Sequence, residues 1–167
     1  MRGRQVIGTD GPVARALREQ PPAGERVELV VVALPAPAGP VGALPSGDLA
    51  ALVDATLTPA IAALRAAAGD GEPTRVAIVC PASAVLPDHR DGARSVVAAG
   101  LAMLAEVAAA TPGLAANVVA VADDVPPHEV AEAVGFALAQ PSLNGATIRL
   151  DGGRDAALAA ETRAEGD

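Results

Sequence analysis

Three short runs, VELVVVAL (27–34), VAIVC (76–80) and NVVAVA (117–122), are apolar almost without a break. A strand with one wet face alternates polar and apolar residues, whereas an unbroken apolar run suits a strand buried on both faces. Such strands belong to parallel sheets covered by helices. Parallel neighbours also need long crossovers, usually helical, and the intervening sequence supplies them. RQVIG (4–8) reads as a first strand, followed by a helix at PVARALRE (12–19) with Pro12 in its first turn. After a Pro/Gly-rich loop (35–47), a helix of about 48–68 is expected, capped by Ser46 or Asp48 and kinked or broken at Pro59. A loop (81–92), a long helix (92–110), an amphipathic helix (126–140) and a last strand, TIRLD (147–151), complete the pattern. The strict β-α alternation predicts a three-layer α/β sandwich with a mainly parallel sheet of about five strands. Residues 1–153 read as one domain without internal repeats, and 154–167 as a tail with a short helix.

Composition narrows the function. With 167 residues and 51% hydrophobic content, the chain can bury a core. No apolar run approaches the ~18 residues of a membrane span, and the start, MRGRQVIGTDG, lacks the apolar segment of a signal peptide. Net charge is −8, and all 12 basic residues are scattered arginines. Phe136 is the one aromatic residue. With neither a basic stripe nor a stacking platform, nucleic acid is an unlike partner. Cys80 is the single cysteine; it has no internal disulfide partner, fits a reducing cytoplasm, and at a strand end reads as a buried small hydrophobe. His89 and His128 are too far apart, and too isolated from cysteine or clustered glutamate, to form a metal site.

The 92–110 helix carries no charge from Ser95 to Ala105, about three turns. A helix covering one face of a sheet normally shows water a polar stripe. Two readings stay open: an alanine-rich helix with a bland solvent face, or a helix whose second face meets another subunit.

Three collinear stretches resemble the short-chain dehydrogenase/reductase family. TRVAIVCPAS (74–83) is similar to the strand that ends in the family's catalytic serine, with Ser83 on that position. VVAAGLAMLAEVAAATPGLAANVVAV (96–121) is similar to the helix and strand that follow the catalytic tyrosine, with Glu106 and Asn117 on the family's glutamate and asparagine. SLNGATIRLDGG (142–153) resembles the closing turn, strand and Asp-Gly-Gly. The resemblance covers about residues 27–153 and implies a Rossmann-like fold. RGRQVIGTDGPVARAL looks like a damaged version of the opening strand, glycine turn and helix. Only Gly8 and Gly11 remain, wrongly spaced for a TGxxxGxG turn, and Pro12 intervenes. There is no room for the β-α-β portion that shapes the adenosine pocket, and no ribose-binding acid is identifiable. The VIGTD stretch also resembles the family's third strand with Asp10 as its trailing aspartate, so whether the first strand is the family's first or third stays open.

The resemblance also implies a catalytic tyrosine and lysine, and this chain has no tyrosine and no lysine. Counting back from Glu106 puts His89 near the tyrosine position and Ala93 near the lysine position; Thr56 falls near the asparagine that supports the water relay. Of the four catalytic roles, only Ser83 keeps its residue type. No cofactor is expected. In the family, subunits pair through the two long helices and the last strand region, which correspond here to residues 48–68, 92–110 and 142–153. The expectation is therefore a non-catalytic subunit paired with an active homologue in a heteromeric oxidoreductase. Two alternatives stay open. One is a cofactor-independent enzyme acting on a carbonyl substrate through Ser83 and His89, with Asp88 near in sequence. The other is a small-molecule binding domain at the strand C-termini.

Overall fold

The computed structural model describes residues 3–36, 39–86 and 89–153, without the side chains of Val41, Ser46 and His89. Nine regular elements alternate as expected: β1 (Arg4–Gly8), α1 (Pro12–Glu19), β2 (Val27–Val32), α2 (Ser46–Gly69), β3 (Thr74–Pro81), α3 (Gly92–Ala109), β4 (Leu114–Val121), α4 (Pro127–Ala139) and β5 (Thr147–Leu150). The sheet is parallel at every pairing, and its spatial order is β1-β2-β3-β4-β5.

Alternate residues of each strand feed two cores. On one face Leu29, Val31, Val76, Ile78, Cys80 and Val118 meet α2 and α3 through Ala60, Leu64, Val97 and Leu101. On the other, Val30, Val32, Ala77, Val79 and Val119 meet α1 and α4 through Leu17, Val130, Val134 and Leu138. This double burial is why the β2, β3 and β4 sequences do not alternate.

The strand order answers the question of which strand comes first. In the doubly wound order 3-2-1-4-5-6, the first strand lies beside the fourth, while the third lies two strands further out. Here β1 pairs directly with β2, so β1 occupies the first strand's place, and the portion that would lie outside it is missing from within the chain. The crossovers also differ in hand. All four step the same way across the sheet, yet α1 and α4 lie on one face and α2 and α3 on the other. The two pairs of crossovers therefore have opposite hands, although right-handed connections are the rule in about 98% of cases.

A buried ion pair holds the shortened connection from α1 to β2. Arg4 Nε donates to Glu28 Oε2 at 2.8 Å, with both side chains almost fully buried. Arg4 also reaches the Leu17 carbonyl and Gln20 Oε1, at the end of α1, and the Ala23 amide donates to Glu28 Oε1.

Two expectations need correction. First, α2 does not break at Pro59 and Asp48 does not cap it: the helix runs continuously through Pro59, Pro45 stands at its N-cap position, and the Ser46 side chain lies outside the described residues. Pro59 removes the helical donor to the Ala55 carbonyl, and Ala55 is exposed, so that acceptor is open to solvent. Asp48 instead stands in the first turn, where a carboxylate suits the helix dipole. Second, two helices, Gly47–Gly69 and Gly92–Ala109, are long enough and apolar enough to cross a membrane, although neither is an uninterrupted apolar run. Both contribute to the core beneath them. The expected tail, 154–167, lies outside the described residues.

Candidate functional site

In open α/β sheets, ligands bind outside the carboxyl ends of the strands. Here the β1, β2, β3 and β4 ends bring together Gly8–Asp10, Leu34–Ala36, Ser83 and Asp123. Arg94 joins them from the first turn of α3. A cavity of about 270 Å³ lies among Leu34, Pro35, Val13, Val121, Val125 and the Arg94–Asp123 pair.

That pair is the strongest polar feature of the crevice. Arg94 Nη1 and Nη2 donate to the two carboxylate oxygens of Asp123 at 2.9 and 2.6 Å. Asp91 stands 3.7 Å from the same guanidinium. The hydrogen bonding to the Asp123 carboxylate is the main reason the guanidinium is held even more firmly charged than usual, against the opposing effect of burial. Two carboxylates around one cation leave no excess positive charge to attract a phosphate. Neither Arg94 nor Asp123 stood out in the sequence, because a lone arginine and a DD turn look like solvated surface. Their pairing joins residues far apart in the chain.

Whether Ser83 and His89 meet lies outside the described residues; the placed candidates stand as follows. Ser83 sits in a 3₁₀ turn, Ala82–Ala84, after β3. Its Oγ is buried and has no hydrogen-bond partner. His89 opens a second 3₁₀ turn, His89–Asp91, just ahead of α3; its side chain and the whole of Asp88 lie outside the described residues. Ala93 is fully buried, so a long amine has no room at the lysine position. Thr56 is buried, and its hydroxyl donates to the Leu52 carbonyl at 2.6 Å within its own helix, which takes up its one proton.

Asn117 and Asn144 shape the closing segment rather than a reaction centre. Asn117 Nδ2 donates to the Leu143 carbonyl, and its Oδ1 accepts from the Ala146 amide. Asn144 accepts from the Ala116 amide and donates to the Ala109 carbonyl at the end of α3. Asp151 Oδ1 accepts from the Gly153 amide, and Gly152 and Gly153 both have positive φ, 65° and 79°. The Asp-Gly-Gly is thus a backbone turn that needs glycine. Cys80 is fully buried, and desolvation pushes its thiol up from 9.0 to about 12. Among the described residues, no three His, Cys, Asp or Glu side chains come together to hold a metal ion.

The fold raises the question of a dinucleotide, and the residues present do not fit one. Gly8 has φ 101°, and a Cβ there would run into the Val32 carbonyl of β2. Its missing side chain therefore makes room for a neighbouring strand instead of a pyrophosphate. The Thr9 amide donates to the same carbonyl at 2.6 Å. Pro12, in the first turn of α1, has no N–H to offer a phosphate. Asp10 faces Arg18 at 2.7 Å, and that hydrogen bond holds its carboxyl below the usual range. A carboxylate fixed in the charged state just ahead of a helix repels the anion such a site must attract. The cavity itself falls short of the ~300–1,000 Å³ usual for small-ligand sites.

No protein-family model and no curated protein sequence matches this chain. Solved structures do. An oxidoreductase of the short-chain dehydrogenase/reductase family from Burkholderia thailandensis superposes with a TM-score of 0.74 over 98% of each chain, at 20% identity. A short chain dehydrogenase from Mycobacterium smegmatis matches 74% of this chain with a TM-score of 0.64 at 20% identity, and the match spans 58% of that protein. Acetoin dehydrogenase from Enterobacter cloacae matches 77% of this chain at 18% identity and a TM-score of 0.64, over 64% of its own length. The chain therefore has the Rossmann-like oxidoreductase fold of the short-chain dehydrogenase/reductase structures, in a shortened form.

Proposed function

We propose that this protein is a non-catalytic subunit that pairs with, and stabilises, an active oxidoreductase of the same fold in a heteromeric cytoplasmic complex. The observation that carries this reading is the outer face of α3. Val96, Ala99, Met103 and Val107 form an exposed apolar stripe at helical spacing, with Val96, Met103 and Val107 each more than half exposed. Glu106 is the single charge among these exposed positions. Gly100 lies on the same helix; a Cβ there would press on Leu57 of α2 at 3.3 Å, so the glycine lets α2 and α3 lie close and present a joint surface. The partner then has an Ala- and Val-rich helix pair of its own. Loss of the tyrosine, lysine and dinucleotide cradle supports the non-catalytic half of the reading.

Co-expression with a full-length reductase of this fold, encoded beside this chain, provides the test. The two co-purify, and Met103→Glu together with Val107→Glu abolishes the complex while leaving the melting temperature near its original value. Recovery of this chain without any such partner, from both native and variant preparations, removes the proposal.

A further inference from the structure

On the heteromeric reading above, we propose that Met103 is a site of reversible oxidation by peroxides, and that a sulfoxide there closes the outer face of α3 to its partner. Two-electron oxidants attack sulfur, as a thiolate or as the thioether of methionine. This chain offers them few targets: one cysteine, Cys80, and two methionines, Met1 and Met103. Cys80 has none of its surface exposed, and burial pushes its thiol up to about 12. The thiolate is the reactive form, so a thiol that keeps its proton inside the core is protected. Met103 is the opposite case. It is 58% exposed, and it is the one methionine among the described residues.

The place of Met103 on the helix gives its oxidation a consequence. Val96 and Ala99 lie two turns and one turn before it, and Val107 one turn after, so Met103 stands inside the stripe they form. These neighbours are aliphatic and offer no side-chain donor. A sulfoxide turns a flexible apolar side chain into a polar one. On the free chain, water satisfies the new oxygen. Against an Ala- and Val-rich helix pair it is buried without a donor, which weakens pairing about 10- to 100-fold. With hydrogen peroxide the step balances by itself. A lone pair of Sδ attacks one peroxide oxygen and the O–O bond breaks. That oxygen stays on sulfur, and the other leaves as water with both protons. Sulfur gives up two electrons and the peroxide takes them. Pairing opposes the same step, because a covered Met103 is shielded from the oxidant. Unassembled chains are therefore oxidised ahead of assembled ones.

Limited hydrogen peroxide, applied to this chain alone before untreated reductase is added, tests this. Peptide mapping separates Met103 from Met1 and finds one added oxygen at Met103, with Cys80 still reduced and native circular dichroism. The oxidised chain binds the co-purifying reductase about 10- to 100-fold more weakly, and a methionine sulfoxide reductase restores the binding. The preformed complex takes up oxygen at Met103 more slowly than the free chain. In Met103→Leu, whatever its starting affinity, peroxide leaves that affinity unchanged. A Met103 that stays unmodified in the free chain overturns the proposal. So does a sulfoxide at Met103 that leaves binding as it was, or a peroxide effect that persists in Met103→Leu. These three outcomes leave the heteromeric reading standing, whereas an unoxidised chain that never binds a reductase removes that reading and the oxidative control together.

Discussion

Cys80 is the residue whose environment fixes its chemistry most completely. In the unfolded chain its thiol ionises near 9.0, and in the folded chain near 12. The folded state thus keeps a proton that the unfolded state releases. The stability gained from the neutral buried thiol is fully present below pH 9 and is lost as pH rises from 9 toward 12. Chemical denaturation across that window shows a falling midpoint in the native chain and a shallower fall in Cys80→Ala. The burial was legible from sequence, because a cysteine closing an apolar strand run has few other places to go. The fate of Ser83 was not. Its residue type matched a catalytic position, yet a serine's usefulness depends on what its hydroxyl meets, and no local pattern encodes that. Thr56 makes the same point in reverse: its hydroxyl bonds the carbonyl four residues back, a local option open to any helical threonine.

The element boundaries were read well, since long apolar strands and alanine-rich helices leave little ambiguity. Pro59 was the exception. Local rules place a break there, but Ala60 and Leu64 on the next turn are anchored in the core, and tertiary packing keeps the helix running. The conflict should remain as strain in the free energy. Pro59→Ala restores the missing donor, and thermal unfolding is expected to show a gain of about 1–3 kcal/mol, up to the cost usually assigned to an interior proline. The uncharged stretch of α3 was likewise visible in sequence; the structure adds which part of it faces out. Ala98, Leu101 and Ala105 are buried, so the stripe through Val96, Met103 and Val107 is a second apolar face in its own right.

At the scale of the whole molecule, the sequence order of the strands is their spatial order, and the site follows from that. The sheet keeps the strand ends where a dinucleotide fold binds its ligand, but the β1 glycine packs against β2, and Asp10 and Pro12 occupy the turn. Titration calorimetry with NAD(H) and with NADP(H) should show no heat of binding at millimolar ligand. Restoring one feature alone, as in Asp10→Gly, should not create a site, because the adenosine-shaping strands are also absent. The sequence exposed this loss as a spacing fault in the glycine turn. It did not expose the Arg94–Asp123 pair, formed across 29 positions, or the opposed crossovers. Both belong to the arrangement of elements, which no single segment records.

The unbroken strand order also bears on synthesis. In a doubly wound sheet the first strand must wait for the fourth before its inner neighbour exists. In this chain each strand, on leaving the ribosome, finds its neighbour already made. The sheet can therefore grow from one side to the other in the order of translation, with each pairing closing only the loop between successive strands. Such short closures carry the smallest entropic cost and favour rapid folding.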